Sequence, residues 1–185
     1  MLLYIHGFRS TENSTKAVQL KRHFAGEILI ARFSHEPEKA IEVLENLIEE
    51  HEITGMIASS LGGFYATYLA QKYQLKALLI NPSTRPYETL RRYLGENETH
   101  DGEMFVWGES HLLALAQYAV EKPTAKHYAI FLKKGDTILD YTVAKRYYDG
   151  GEITTEEGGD HRFADFEKHL DGVETFFEPK LCNRN

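Results

Sequence analysis

Short strand-like runs alternate with amphipathic segments along the chain. The strand-like runs occupy 2–5, 27–33, 55–59, 76–80, 127–132 and 151–155. Apolar residues that recur every three or four positions predict helices over 16–24, from 37 onward, after 60, over 141–148 and over 163–177. This alternation predicts an α/β fold with a mainly parallel sheet of about six strands and helices on both faces.

The segment 83–122 interrupts the alternation and mixes polar, charged and aromatic residues, with a helical piece near 111–120. We expect one domain over 1–185 in which 83–122 is a cap or an insertion. Two interpretations of its apolar side chains stay open: they form a cap over an acyl pocket, or they pack on the body of the domain. These side chains are Tyr87, Tyr93, Phe105, Trp107 and Leu112.

Composition narrows the classes of protein. The 185 residues are 42% hydrophobic and carry a formal net charge of −7, which argues against a wholly disordered chain and makes nucleic acid a poor first choice of partner. Cys182 is the only cysteine, so no intrachain disulfide can form. We expect a cytoplasmic protein, because no apolar stretch of about 18 residues occurs and the first residues resemble a strand more than a secretory signal.

Ligands of parallel sheets bind beyond the carboxyl ends of the strands, so the residues at those ends are the candidates for chemistry. They are His6-Gly7-Phe8, Ser34-His35, Ser59-Ser60, Asn81-Pro82, Gly135-Asp136 and Asp160-His161.

Ser60 is the candidate nucleophile. It lies between a predicted strand and a predicted helix, in a segment that approximates the G-x-S-x-G elbow with Ala58 at the first glycine position and Gly62 at the second. Small residues are required there because the turn brings strand and helix close together. The alternative is that Ser60 only caps the helix.

A serine nucleophile needs a base and an acid that orients the base. His161 is the candidate base, and Asp136, directly after a predicted strand, is the candidate acid. Asp140 and Asp160 are the alternative acids. We expect Asp140 to cap the helix that begins at Tyr141 instead.

The oxyanion that forms during acyl transfer needs two aimed N–H groups. The backbone N–H of Leu61 follows the nucleophile, and that of Phe8 lies in the loop after the first strand, which we expect His6 to hold by hydrogen bonds. His35 either lines the pocket or is a solvated loop residue. No H-E-x-x-H, G-x-G-x-x-G or P-loop pattern occurs, so we expect no metal, cofactor or nucleotide.

Four segments together resemble the α/β-hydrolase superfamily: HGF (6–8), ASSLGG (58–63), GDTILDY (135–141) and GGDH (158–161). The compact length and the early HGF resemble the YqiA-type bacterial esterases. The resemblance implies a trimmed α/β-hydrolase sheet, a Ser60-Asp136-His161 triad, and an oxyanion hole at Phe8 and Leu61. Ala58 departs from the usual glycine of the elbow.

The resulting functional hypothesis is a serine hydrolase that cleaves a small-molecule carboxylic ester through an acyl-enzyme. One alternative is an acyl-thioesterase with the same residues. Its anionic coenzyme A ester would be attracted by Arg85, Arg91 and Arg92, which fit a solvated helix face equally well. The other alternative is a catalytically silent hydrolase fold that binds a ligand or partner.

Overall fold

The computed structural model describes residues 1–178, and the prediction about Cys182 lies outside them. Within these residues, the strands of the main sheet are β1 (Leu2–Ile5), β2 (Ile28–Ile30), β3 (Gly55–Ser59), β4 (Lys76–Ile80), β7 (Tyr128–Lys133) and β8 (Glu152–Glu156). These six strands pair in parallel throughout, in the order β2-β1-β3-β4-β7-β8. The predicted sheet of about six mainly parallel strands is therefore confirmed.

In the described part of the chain, residues 1–178, seven α-helices connect or flank the strands. They are α1 (Thr15–His23), α2 (Pro37–Glu50), α3 (Leu61–Tyr73), α4 (Pro86–Thr89), α5 (Glu109–Ala116), α6 (Tyr141–Tyr147) and α7 (Leu170–Phe177), with short 3-10 turns over Leu90–Tyr93, Ala125–His127 and Phe166–His169. The strands are apolar on both faces because helices cover both.

Alternate residues of each strand point to opposite faces and feed two separate cores. Leu3 and Ile5 of β1 pack in the core that contains α2, α3, α5 and α6. Leu2 and Tyr4 pack in the core that contains α1 and α7.

The segment between β4 and β7 carries two strands that the sequence analysis missed. They are β5 (Gly95–Glu98) and β6 (Met104–Trp107), which form an antiparallel hairpin apart from the main sheet. The buried Phe105 and Trp107 alternate with the exposed Met104 and Val106 along β6, so one face of the strand is buried and the other is exposed.

Two predicted boundaries are wrong. The second strand spans only Ile28–Ile30 instead of 27–33, because the chain leaves the sheet and brings the Phe33 ring onto His6. The helix expected over 163–177 is a 3-10 turn followed by α7, because Phe163 has a φ of 49°, which no α-helix contains.

The strand order reverses its direction at one position of the sheet, between β1 and β3. The chain runs from β1 outward to β2 and then crosses to the other side of β1 to form β3. The loops after β1 and β3 therefore diverge to opposite faces and leave a crevice at the carboxyl edge, which is where open α/β sheets bind ligands. Phe8 follows β1 and Ser60 follows β3.

Candidate active site

Ser60 occupies a strained turn between β3 and α3. Its φ of 53° and ψ of −121° lie outside the regions that residues with side chains usually adopt. Its N–H donates to the Ile80 carbonyl at 3.1 Å, and its side chain makes no capping hydrogen bond to α3. The alternative that the Ser60 side chain serves as a helix cap is therefore wrong.

Close contacts around the turn explain the small residues of the elbow. A Cβ on Gly62 would lie 2.2 Å from the Ile5 carbonyl oxygen, so α3 can approach β1 only with glycine there. A Cβ on Gly7 would lie 3.0 Å from the Ser60 Cβ, which keeps the loop after β1 against the serine. Ala58, the departure from the usual glycine, is completely buried within β3 and fits there.

His161 contacts both Ser60 and Asp136. Its Nε2 lies 2.9 Å from the Ser60 Oγ, and its Nδ1 lies 2.7 Å from the Asp136 Oδ2. A carboxylate can only accept at Nδ1, so Nδ1 carries the proton and Nε2 is left to accept from the serine hydroxyl. This chain of hydrogen bonds can remove the Ser60 proton.

Asp136 is fixed by the turn that follows β7. Its Oδ1 accepts from the backbone N–H groups of Ile138 and Leu139 at 2.8 and 2.9 Å, and its side chain is only 2% exposed. Asp140 accepts from the Thr142 N–H at 2.8 Å, which confirms its predicted role as the cap of α6. Of the three carboxyl groups considered from the sequence, Asp136 is the one that contacts His161.

The loop that carries His161 is held by Asn81, to which the sequence analysis assigned no role. The Asn81 Nδ2 donates to the carbonyls of Asp160 and His161 at 3.2 Å each, and its Oδ1 accepts from the Lys133 N–H at 2.9 Å. Asn81 is 3% exposed, and its φ of 40° lies in a region that asparagine tolerates better than most residues. The sequence signal for a role of Asn81 was its position at the end of a predicted strand.

Lys133, at the end of β7, supports the same loop from beneath. Its side chain is 4% exposed, and its Nζ contacts Glu156 and lies 2.9 Å from the Asp165 Oδ1 and 4.4 Å from the centre of the Phe163 ring. Residues on both sides of His161 are thereby tied to the sheet.

The loop that carries Phe8 rests on the β5–β6 hairpin. The Phe8 ring packs against Tyr93, Phe105 and Trp107, with ring centres 4.9 to 5.7 Å apart. Phe105 and Trp107 are 6% and 0% exposed. The aromatic residues of the insertion therefore pack on the body of the domain, which was one of the two interpretations left open.

Polar contacts join this loop to the turn of the hairpin. The Arg9 Nε donates to the Glu98 carbonyl at 2.8 Å, and the His100 N–H donates to the Arg9 carbonyl at 2.9 Å. The Asp101 Oδ2 accepts from the Thr11 hydroxyl at 2.6 Å and from the Asn13 amide at 2.9 Å.

His6 holds the base of this loop, as predicted. Its Nδ1 lies 3.1 Å from the Gly7 carbonyl oxygen, and its ring stacks on Phe33 at 4.2 Å. Burial lowers the pKa of His6, so the ring is neutral at pH 7 and can donate to that carbonyl. Within residues 1–178, the backbone N–H groups of Phe8 and Leu61 donate no hydrogen bond to another protein group.

Two clefts flank the Gly7–Phe8 segment. One, with a volume of about 490 Å³, is lined by Ser60 and His161. The other, of about 670 Å³, contains His35 on its wall and is not the cleft that Ser60 and His161 line. Two of the arginines considered for attraction of an anionic coenzyme A ester have partners within the protein. Arg91 pairs with Glu109 at 2.6 Å, and Arg92 donates to the Ile138 carbonyl at 3.3 Å.

Within residues 1–178, no group of three or more His, Cys, Asp or Glu side chains is arranged to hold a metal ion. No helix in that part of the chain is long and apolar enough to cross a membrane.

Known structures share this architecture at low sequence identity. Alpha/beta hydrolase domain-containing protein 10 from mouse is 13% identical, with a TM-score of 0.74 over 96% of this chain and 90% of its own. Est1E from Butyrivibrio proteoclasticus, with ferulic acid bound, is 14% identical, with a TM-score of 0.73 over 95% and 86%. The esterase domain of a Rhodothermus marinus protein is 17% identical, with a TM-score of 0.68 over 94% and 83%.

These likenesses show an α/β-hydrolase fold with a small antiparallel insertion. The model of the Uncharacterised protein family (UPF0227) matches residues 1–178. The chain with the Ser60-His161-Asp136 contacts at the carboxyl edge of its sheet therefore belongs to the UPF0227 family.

Proposed function

We propose that the protein is a serine hydrolase that cleaves carboxylic esters through an acyl-enzyme intermediate. The observation that carries this proposal is the chain of hydrogen bonds from Ser60 through His161 to Asp136, at 2.9 and 2.7 Å, with the serine on a strained turn.

In the first half of the reaction, the Ser60 Oγ attacks the ester carbonyl carbon while its proton passes to the His161 Nε2. The backbone N–H groups of Phe8 and Leu61 hold the oxyanion of the tetrahedral intermediate. The bond from carbon to the leaving oxygen then breaks, and His161 returns the proton to that oxygen. An alcohol leaves, and the acyl group remains on Ser60.

In the second half, a water molecule takes the place of the alcohol. It gives its proton to the His161 Nε2 as its oxygen attacks the acyl carbon. The bond to the Ser60 Oγ breaks, the proton returns to that oxygen, and a carboxylic acid leaves. Asp136 holds the His161 ring and stabilises its positive charge in both halves.

The test is hydrolysis of p-nitrophenyl esters from acetate to palmitate by the wild type and by Ser60→Ala. We expect turnover by the wild type and a loss of about 10³-fold or more in the variant, because the serine hydroxyl is the nucleophile. Circular dichroism would establish that the variant is folded, and Ser59→Ala is the matched control. Activity that survives in Ser60→Ala would contradict the proposal.

A fluorophosphonate probe separates the proposal from the silent binding fold. Covalent labelling of the wild type but not of Ser60→Ala is the expected result. A folded wild type that neither labels nor turns over any ester would favour the silent fold. Faster turnover of an acyl-coenzyme A than of an ester with the same acyl chain would assign the activity to a thioesterase.

A further inference from the structure

Two cations line the cleft beside the candidate nucleophile. They are Lys16, in the first turn of α1, and Arg162, directly after His161. Within residues 1–178, Asp101 is the one carboxylate on this cleft, and its Oδ2 already accepts two hydrogen bonds from neighbouring side chains. The cleft therefore has more positive than negative side chains, although the chain as a whole has a formal net charge of −7.

Lys16 is half-buried and has no counter-ion. Its Nζ donates to the Arg162 carbonyl, and within residues 1–178 it forms no ion pair. Burial lowers the pKa of Lys16 to about 8; Asp160 opposes the shift, and Arg162 adds to it. An ammonium group has three N–H donors, so two of them remain for a ligand.

Lys133 shows how the same protein otherwise accommodates a buried ammonium group. Burial would lower the pKa of Lys133, but hydrogen bonds to Glu156 and Asp165 outweigh burial and raise it. A desolvated charge without such a partner is costly, and charges of this kind cluster at functional sites, where a ligand can supply the partner. Since Lys16 lacks the carboxylates that Lys133 has, we expect its negative partner on a ligand.

The guanidinium of Arg162 also has no partner. Within residues 1–178 its side chain makes no hydrogen bond and no ion pair, so its donors are available to a ligand. A guanidinium can bind both oxygens of a carboxylate at once. Six other arginines already have an acceptor within the protein: Arg9, Arg22, Arg32, Arg85, Arg91 and Arg92.

The charges and rings of the cleft indicate which anion it suits. Two cations and one carboxylate leave one positive charge unbalanced, which suits a monoanion better than the several charges of a coenzyme A ester. The rings of Tyr4, Phe8 and Phe163 line the same cleft and exclude water from part of it. Attraction between opposite charges is stronger where water is excluded.

The reaction of the proposed function, on which this inference rests, decides which half of the substrate meets these cations. His161 must return its proton to the leaving oxygen, so the alcohol portion lies beside the His161 ring. Arg162 follows His161 in the chain, and Lys16 binds the Arg162 carbonyl. The two cations therefore belong to the part of the cleft that the alcohol occupies.

From these observations we infer that the substrate is an ester of a hydroxy acid, whose alcohol portion carries a carboxylate that binds Lys16 and Arg162. The Ser60 Oγ bonds to the acyl carbon, and the bond from that carbon to the hydroxyl oxygen of the hydroxy acid breaks. His161 gives its proton to that oxygen, the hydroxy acid leaves, and water then removes the acyl group.

The experiment compares three acetyl esters with their carboxamides: 2-acetoxyacetate, 3-acetoxypropanoate and 4-acetoxybutanoate, each against the amide of the same length. The two esters of a pair share the acyl group and differ in one negative charge, and the three lengths scan the distance from ester to carboxylate. We expect kcat/KM at pH 7 to be about tenfold or more higher for the carboxylate in at least one pair, because hydrogen bonds between charged groups supply that discrimination.

Lys16→Met should lower this preference about tenfold, and Arg162→Gln about threefold, since solvent screens the exposed guanidinium. The ratio is measured within each variant, so a displacement of the His161 loop that slows both esters alike does not alter it. Lys21→Met is the matched control, because Lys21 is an exposed lysine of α1 that does not line the cleft, and it should keep the wild-type ratio. If Lys16→Met does not fold, Arg162→Gln provides the second variant.

Each outcome separates the inference from the function on which it rests. A ratio of carboxylate to amide at or below one in all three pairs, or a preference that neither variant alters, would overturn the hydroxy-acid assignment alone. Higher kcat/KM for acetyl-coenzyme A than for every acetoxy acid would overturn it in favour of a polyanionic thioester. Failure to hydrolyse any p-nitrophenyl ester, together with no fluorophosphonate labelling of Ser60, would overturn the hydrolase proposal itself.

Discussion

The loops that carry His161 and Phe8 meet at Ser60, but they are held in different ways. The His161 loop is tied to the sheet by the buried Asn81 and the buried Lys133. Apart from the buried contact between His6 and the Gly7 carbonyl at its base, the polar contacts of the Phe8 loop are exposed and reach the turn of the hairpin through Arg9 and Asp101. A buried polar group left without a partner costs about 1–3 kcal/mol, whereas exposed groups are resolvated by water.

This difference matches the two proposed tasks. A general base must lie within hydrogen-bond distance of the serine in every turnover. The loop that carries it is accordingly held by buried polar groups, whose hydrogen bonds are costly to break. The oxyanion N–H of Phe8 is held mainly by the packing of its own ring, with the polar contacts as a supplement. Substitutions on the His161 side should therefore have larger effects than those on the Phe8 side.

The largest effect is expected for Asp136→Asn. The amide can place an N–H toward His161 and favour the wrong tautomer, so kcat should fall about 10³–10⁴-fold with little change in KM. Steady-state kinetics on p-nitrophenyl acetate measures this. Asp140→Asn is the matched control, since asparagine also caps helices, and its kcat should stay within about twofold of the wild-type value.

Asn81→Leu should come next. Three hydrogen bonds are lost, the His161 loop shifts, and kcat should fall about 10²-fold while KM changes little. Unfolding in urea should show a loss of about 1–3 kcal/mol.

Asn97→Leu controls for the stability change, because Asn97 also donates to two carbonyls, those of Tyr93 and Gly95, within the insertion. A similar loss of stability with kcat within about threefold of wild type is expected. If Asn97→Leu lowers kcat as much as Asn81→Leu does, Asn81 acts only through stability.

Lys133→Met tests the ionic support of the His161 loop. Hydrogen bonds from Lys168 and Lys133 hold the pKa of Asp165 below its usual range. The stability that this depressed pKa supplies is present above about pH 4, the pKa region of an unfolded aspartate, and is lost as the pH falls toward the folded pKa. The variant should be about 2 kcal/mol less stable at pH 7, and its difference from wild type should narrow at pH 3.

Urea unfolding at the two pH values measures this difference. Lys168→Met, at an exposed residue that also contacts Asp165, should cost less at pH 7 than Lys133→Met. A difference between wild type and Lys133→Met that stays constant with pH would argue against an ionic role.

Asp101→Ala should have the smallest effect on activity. The variant loses the exposed contacts to Thr11 and Asn13, so kcat should fall about threefold to tenfold and stability by less than about 1 kcal/mol. Glu96→Ala, at an exposed position of β5, is the control that should change neither. A loss in Asp101→Ala as large as that in Asn81→Leu would remove the distinction between the two loops.

Much of the sheet and the candidate site residues could be predicted because their signals are local. Ser60 is recognised from neighbours within two residues, and apolar runs mark most strands. The 2.9 and 2.7 Å distances join residues far apart in sequence, and only their positions at strand ends indicated that they meet.

The missed features depend on distant partners. Asn81 contacts a loop 79 and 80 residues further along the chain, and its position at a strand end made it a candidate without indicating that its side chain holds that loop. The hairpin escaped notice because β5 is a polar strand, Gly95–Glu98, with only Asn97 buried. Its partner β6, Met104–Trp107, is a run of four apolar residues, which is a local strand signal; the period of two is in their burial and not in their hydrophobicity.

The place of the insertion in the chain bears on how such proteins diversify. It enters between β4 and β7, whose parallel pairing from Ala77 with Tyr128 to Ile80 with Phe131 needs no particular length of intervening chain. Each doubling of a loop costs only about 0.6 kcal/mol of closure entropy, so the sheet tolerates many replacements there. The position of the Phe8 ring does not tolerate such replacements, because the ring packs on three rings of this segment. Evolution can therefore replace the insertion at little cost to the stability of the sheet, but each new insertion must again provide packing for the loop beside the serine.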